Sequence, residues 1–198
     1  MGVIKQLSQS LKSRGTYGTL RWVYYGYLTV NKFIVFYKDL QNSFSWPRYD
    51  SSIKLLRISL EDLESLRHEH KILPIEFYCD ITHRFNTPYI ALVNGKVAAI
   101  YWLVYPGEAS RFLELGDGDV ELNYSTILPE YRGRGLAQLL MAYIIESCKE
   151  QNLKRMFGVV NVSNIPQYKP MLRLGFEPVE VLTHFGFNRP KATLRYIK

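Results

Sequence analysis

The chain has 198 residues, 47% of them hydrophobic and 22% charged, with a formal net charge of +7 at pH 7. That length suits one sizeable domain and that balance an ordinary globular protein. Apolar runs such as Phe33 to Tyr37 fall far short of a membrane span.

The start, MGVIKQLSQS, has neither the apolar core nor the cleavage site of a secretory signal, and Gln6 stands where a myristoylation signal needs Ser or Thr. Cys79 and Cys148 lie far apart with no metal spacing, so a reduced, cytoplasmic protein is expected, at most peripheral to the inner membrane face. The charge is uneven. Residues 1–48 hold seven Lys/Arg against one acid, Asp39, a net +6. A basic partner surface, if there is one, belongs to this first quarter.

In chain order, Leu20, Val23, Tyr24, Tyr27 and Leu28 recur at helical spacing between Thr16 and Val30, against Gly18 and Gly26. KFIVFYKDL, 32–40, is a β-branched and aromatic run that predicts a strand. A turn-rich linker follows, and SIKLLRIS predicts a short strand. Ser59 is a helix cap with Asp62 at the third position and Leu60, Leu63 and Leu66 on one face. Residues 71–86 read as helical or irregular. YIALVNGKVAAIYWLVY predicts a hairpin turning at Asn94-Gly95.

After a loop over 105–118, DVELNYSTIL predicts a strand ending at Pro129. LPEYRGRGLAQLL then turns from strand to helix through an arginine–glycine cluster. The helix, LAQLLMAYIIESCKEQN, carries Leu136, Leu139, Leu140, Tyr143 and Ile144 on its stripe. RMFGVVNV is a strand, SNIPQYKPMLRLG a short helix stopped by Gly175, and FEPVEVLTHF and KATLRYI two closing strands. Helices and strands alternating after a hairpin predict a mixed sheet in one α/β domain.

A helix start offers N–H groups without internal partners, and its dipole favours negative charge. Glycine lets a ligand approach the backbone, and arginine adds fixed charge. The RGRG turn therefore reads as a phosphate or pyrophosphate cradle, or as a tight turn with two solvated arginines. It is neither GxGxxG nor a P-loop.

The unit Pro129-Glu130-Tyr131-Arg132-Gly133-Arg134-Gly135-Leu136-Ala137, followed by Asn164 and then Gly175-Phe176, resembles the GNAT (Gcn5-related N-acetyltransferase) family over roughly residues 53–198. The resemblance implies a mixed, mostly antiparallel sheet flanked by helices. An added N-terminal helix and strand would make residues 1–50 a basic, aromatic extension on a 51–198 acyltransferase domain. It also implies acetyl-CoA or another acyl-CoA as co-substrate, and a small-molecule or peptide amine as acceptor. The backbone of Arg132, Gly133, Arg134, Gly135, Leu136 and Ala137 would wrap the pyrophosphate. A bulge near Ser125, Thr126 and Ile127 would free groups for the pantetheine arm. Asn164 would bind that arm or, alternatively, cap the short helix.

Glu121, eleven residues before Arg132, matches the strand glutamate that acts as base in the histone-acetylating branch; the alternative is an edge glutamate without a role. Where many members have a tyrosine acid seven residues after the asparagine, this chain has Met171, which cannot donate a proton. Tyr168 is the substitute within reach of a shifted register, and catalysis without a side-chain acid is the other option. His68, His70, His83 and His184 show no metal spacing, so no metal site is expected, and direct transfer is favoured over a covalent intermediate. A non-catalytic acyl-CoA-binding module is the reading from a different class. For residues 1–40, packing on the core, a homodimer surface, contact with an anionic membrane or acidic carrier protein, and nucleic-acid binding all compete. The last is least favoured, because no nucleic-acid motif accompanies the charge.

Overall fold

A computed structural model describes residues 16–20, 24, 30–70, 72–185 and 190–194. Seven strands form one sheet in the order β2-β3-β4-β5-β6-β1-β7. They are β1 (Asn31–Asp39), β2 (Ile53–Arg57), β3 (Thr87–Val93), β4 (Lys96–Val104), β5 (Asp119–Ile127), β6 (Arg155–Asn161) and β7 (Glu177–His184). Every pairing is antiparallel except β5 with β6. The mostly antiparallel mixed sheet is the one expected.

Helix α1 (Leu60–Glu69) starts with a complete capping box: Asp62 N–H donates to the Ser59 hydroxyl at 3.0 Å while the Asp62 carboxylate accepts from Ser59 N–H. A 3-10 turn (Ile75–Tyr78) leads into the short α2 (Cys79–His83). The β3–β4 hairpin turns at Asn94 and Gly95, with φ of 50° and 77°, the left-handed pair that Asn-Gly accommodates. Helix α3 (Leu136–Glu150) buries Met141, Ala142, Ile145 and Cys148 besides its expected leucines, so its covered face is wider than one stripe, and Tyr143 is only half-buried. Helix α4 (Ile165–Arg173) ends in a Schellman motif. Phe176 N–H donates to Met171 O, Gly175 N–H to Leu172 O, and Gly175 takes φ 79°.

The core is divided by the sheet. Val120, Tyr101, Leu140, Met171 and Phe36 pack with α3 and α4 on one face. Trp102, Phe77, Phe85 and Leu63 pack with α1 and α2 on the other. Further along that second face, Phe112 and Leu113 of the 105–118 loop cover Val35, Phe157 and Leu182.

The expected KFIVFYKDL strand forms, in the interior of the sheet. β1 pairs with β6 from Phe33–Asn161 to Asp39–Arg155 and with β7 on its other side. Of the expected N-terminal helix, residues 16–20 are helical and Tyr24 is exposed; the remainder lies outside the described residues. The expected closing strand KATLRYI is corrected over its described part. Residues 190–194 have no strand structure, because Lys191 and Ala192 bond to the 105–118 loop instead, through Lys191 Nζ to Ser110 O and Leu113 O and Ala192 N–H to Phe112 O.

An interior β1 has a thermodynamic consequence. Phe36→Ala should cost about 3–5 kcal/mol, as for any buried aromatic, measured by urea denaturation. A loss below about 1 kcal/mol would make the strand an appendage.

Candidate active site

The parallel β5–β6 ladder runs from Asp119–Arg155 to Leu122–Gly158 and then stops. Arg155 clamps the closed end with a two-pronged ion pair to Asp119, at 2.6 and 3.0 Å. Beyond Leu122 the β4–β5 register slips between Ile100–Thr126 and Trp102–Asn123. The ladder skips Tyr124 and Ser125. Tyr124 has φ 37°, a left-handed conformation rare for an aromatic residue, held by His83 at 4.2 Å and Phe85 at 5.6 Å between ring centres. The bulge expected near Ser125 to Ile127 therefore centres one residue earlier, and β5 swings away from β6.

A cavity of about 280 Å³ lies in that opening. Its lining comes from both faces of the sheet. Met141 of α3 and Asn164, Gln167 and Met171 of α4 lie on one side, with Glu121 and Asn123 of β5 and Phe112 of the loop on the other. Ser125 sits at the bulge between them.

Glu121 is 1% exposed on an interior strand, not at an edge. Oε1 accepts from Asn123 Nδ2 at 2.9 Å, and Oε2 has no hydrogen-bond partner among the described residues. Burial pushes its carboxyl up to about 7, against a weaker downward pull from the Ser110 hydroxyl and the Lys191 ammonium. The carboxylate is thus buried, with one of its two oxygens hydrogen-bonded.

At the RGRG turn, Gly133 and Gly135 take φ of 78° and 74°, and a Cβ on either would meet nothing within 4 Å. Gly135 is the N-cap of α3 and supplies no side chain to it. Backbone N–H groups from Gly133 to Gln138 donate to no group among the described residues, whereas Arg132 N–H is already bonded to Pro129 O. Arg132 Nε instead braces Ile127 O at 3.1 Å, and the Arg134 guanidinium lies 5.7 Å from the Tyr131 ring centre. A bare helix start with open glycines fits a diphosphate.

Asn164 does occupy the N-cap of α4, but through its backbone, whose carbonyl accepts from Gln167 and Tyr168 N–H; its side chain makes no cap bond and faces the cavity. Tyr168, the substitute acid expected from the sequence, packs against the core. It stacks on Phe36 of β1, at 6.3 Å between centres, and is not part of the cavity wall. Residues 164, 167, 168 and 171 share one broad helical face, so the period alone does not separate Gln167 from Tyr168; the packing of Tyr168 against Phe36 does. Met171 lies over Gly158, where an added Cβ would collide with its Cε. Gln167, not anticipated from the motif, is anchored by the fully buried Tyr101 hydroxyl at 2.9 and 3.1 Å. The i,i+3 spacing from Asn164 points to it, though the i,i+4 spacing points equally to Tyr168. Glu76 and Arg111, also in the wall, sit in the irregular 71–86 and 105–118 segments and carry no such signal.

The raised Glu121 carboxyl has a sign that can be checked. Below pH 4.5, its ordinary value, it is neutral folded or unfolded. As pH rises the unfolded chain ionises first, so folding stability falls until about 7. The neutral isostere in Glu121→Gln should therefore stabilise the protein by up to about 3 kcal/mol above neutrality and by almost nothing near the acid end, read as melting curves across pH. An equal gap at all pH values would contradict the assignment.

The description "Acetyltransferase (GNAT) family" matches residues 52–176. A Bacillus subtilis protein named as a ribosomal protein bS18 alanine N-acetyltransferase is 35% identical over 60 residues, covering 30% of this chain and 40% of that one. A GNAT-family acetyltransferase structure from Novosphingobium aromaticivorans aligns at TM-score 0.56 and 17% identity, over 79% of this chain and 63% of that one. A GCN5-related N-acetyltransferase from Sphaerobacter thermophilus aligns at TM-score 0.56 and 13% identity, over 86% and 56%. At such identities the structures speak for the fold alone. The chain also spans less than two thirds of each of these proteins. With the family's region covering more than half of its residues, the chain belongs to the acetyltransferase (GNAT) family, whose general reaction moves an acyl group from an acyl-CoA.

Proposed function

We propose that this chain is an N-acyltransferase that moves an acyl group, most simply acetyl, directly from CoA to an amine, with residues 51–198 carrying the chemistry and β1 completing the sheet. The observation that carries this reading is a cavity in the β5–β6 opening, lined by a buried carboxylate on one side and by Met141 of α3 with Asn164, Gln167 and Met171 of α4 on the other.

The backbone from Gly133 to Ala137 holds the CoA diphosphate, and Arg132 steadies the turn by its bond to Ile127 O. The pantetheine arm runs along Ser125, Thr126 and Ile127 and past Asn164. Glu121, ionised, accepts the proton of the attacking amine, directly or through a water; the C–N bond forms and the C–S bond breaks. The departing thiolate meets Met171, which donates nothing, and Gln167, whose amide can. A thiolate is a tolerable leaving group, so no tyrosine acid is required, and Tyr168 has no part.

Met171 also favours a second reading, an acyl-CoA-binding module without turnover. The acyl chain is open to longer lengths or a carrier-protein thioester. The named activity of the Bacillus relative makes a peptide N-terminus one candidate acceptor. Exposed Tyr17, Leu20 and Tyr24, in a segment of net positive charge, support contact with an anionic membrane or acidic carrier. None of the described helices is long and apolar enough to cross a membrane.

Two measurements test the main reading. CoA should raise the melting temperature of wild type but not of Gly135→Leu, whose side chain would fill the cradle; an equal shift in both would remove the cradle. Wild-type turnover should rise with pH through about 7 as Glu121 ionises. Glu121→Gln should then lose on the order of 10²–10⁴ in rate together with that pH limb, while still binding CoA. Turnover within a few-fold of wild type and an unchanged profile would sink the base assignment, and CoA binding without turnover by either protein would favour the binding module.

A further inference from the structure

The acceptor side of the cavity is unbalanced in charge. Two carboxylates line it, Glu121 from β5 and Glu76 from the 3-10 turn before α2. The backbone at Glu76 is firmly held. Trp102 Nε1 donates to the Glu76 carbonyl at 2.7 Å, and Arg67 donates Nε and Nη2 to the Phe77 carbonyl at 2.8 and 2.6 Å. Arg67 is itself tied to Asp80 by an ion pair and lies 4.9 Å from the Tyr78 ring centre. The Glu76 side chain nevertheless makes no hydrogen bond or ion pair among the described residues.

Glu121 Oε2, in a side chain 1% exposed, likewise has no hydrogen-bond partner among the described residues. The nearby cations are engaged with other groups. Lys191 Nζ donates to Ser110 O and Leu113 O, and the Arg111 guanidinium lies over the Phe33 and Phe112 rings at 5.3 and 4.6 Å. Among the described residues neither cation forms an ion pair with Glu76 or Glu121. Glu121 is withdrawn from water, which is costly for a carboxylate unless a positive partner arrives, and Glu76 is half-buried in the same wall. A carboxylate whose backbone is pinned and whose head is unpaired is preorganised for a partner from outside the chain.

We propose that the acceptor is an amine bearing a second cationic centre. Its reacting nitrogen lies at Glu121 and its remaining positive charge at Glu76. This rests on the acyltransferase reading and names its acceptor class. Arg111, the cation in the same wall, defines the competing class, an amine bearing a carboxylate.

Three acceptors of one length separate the classes: 1,4-diaminobutane, 1-aminobutane and 4-aminobutanoate, assayed with the full chain and acetyl-CoA by thiol release. The diamine should exceed the monoamine in kcat/KM by roughly tenfold, the equivalent of one ion pair of about 1.4 kcal/mol, with the amino acid poorest. Glu76→Gln should bring the diamine-to-monoamine ratio near one, and Glu76→Lys should reverse the order in favour of 4-aminobutanoate. Retention of the acetyl-CoA melting shift would show that both variants remain folded. Equal use of diamine and monoamine, preference for 4-aminobutanoate by wild type, or a ratio insensitive to Glu76 would overturn the proposal. Transfer to none of the three, with the melting shift intact, would overturn this acceptor class while leaving the acyl-CoA reading standing. Loss of the shift in wild type would overturn both.

Discussion

The opening between β5 and β6 is the constraint on which the rest depends. Two adjacent parallel strands that separate midway leave backbone groups facing a gap, and such groups must be satisfied elsewhere. The chain arranges this from both ends. Asp119 and Arg155 hold the strands together at the closed end, while the left-handed Tyr124 diverts β5 at the open end. β6 keeps its other edge paired along its length because β1 lies against it from Arg155 to Asn161. A strand from the N-terminal quarter thus braces the strand that forms one wall of the site, and its own Phe33 reaches the cavity.

The same gap explains the electrostatics. Glu121 lies just before the ladder ends, deep enough to lose water and without an ion pair among the described residues, Lys191 acting on it only from a distance. Burial disfavours its charge, and the one firm hydrogen bond, from Asn123, satisfies a single oxygen. The outcome is a carboxyl that titrates near neutrality, suited to taking up and giving away a proton. A well-paired carboxylate at this point would be more stabilising and less basic. Strain at Tyr124 and this half-satisfied acid lie within three residues of each other on one strand, as expected where local stability is exchanged for a site.

Helix α4 shows how packing decides which side chains reach chemistry. Gly158 leaves room for Met171 to settle onto β6, which orients the 164–167–171 face towards the cavity. Tyr168 then points to the core and finds Phe36. On the working face, a polar hold comes from Tyr101 through Gln167.

Much of this was readable along the chain because it is local. The Ser59–Asp62 capping box, the Asn94-Gly95 turn, the glycine stop of α4 and the helix starting at Gly135 each follow from residues within a few positions of one another, where backbone conformation and hydrogen bonding are determined by near neighbours. The Pro129–Ala137 unit with Asn164 and Gly175-Phe176 was enough to indicate the family. Position in the sheet was not readable. The pattern of KFIVFYKDL marks a strand but not which strands flank it, since pairing joins residues more than a hundred positions apart. The burial of Glu121, the turning of Tyr168 towards Phe36 and the pinning of Glu76 by Trp102 and Arg67 likewise arise from contacts between distant segments. Sequence determined most of the elements and the glycine turn at the start of α3; only the tertiary structure decided which charges share a cavity, because desolvation and proximity belong to three-dimensional packing.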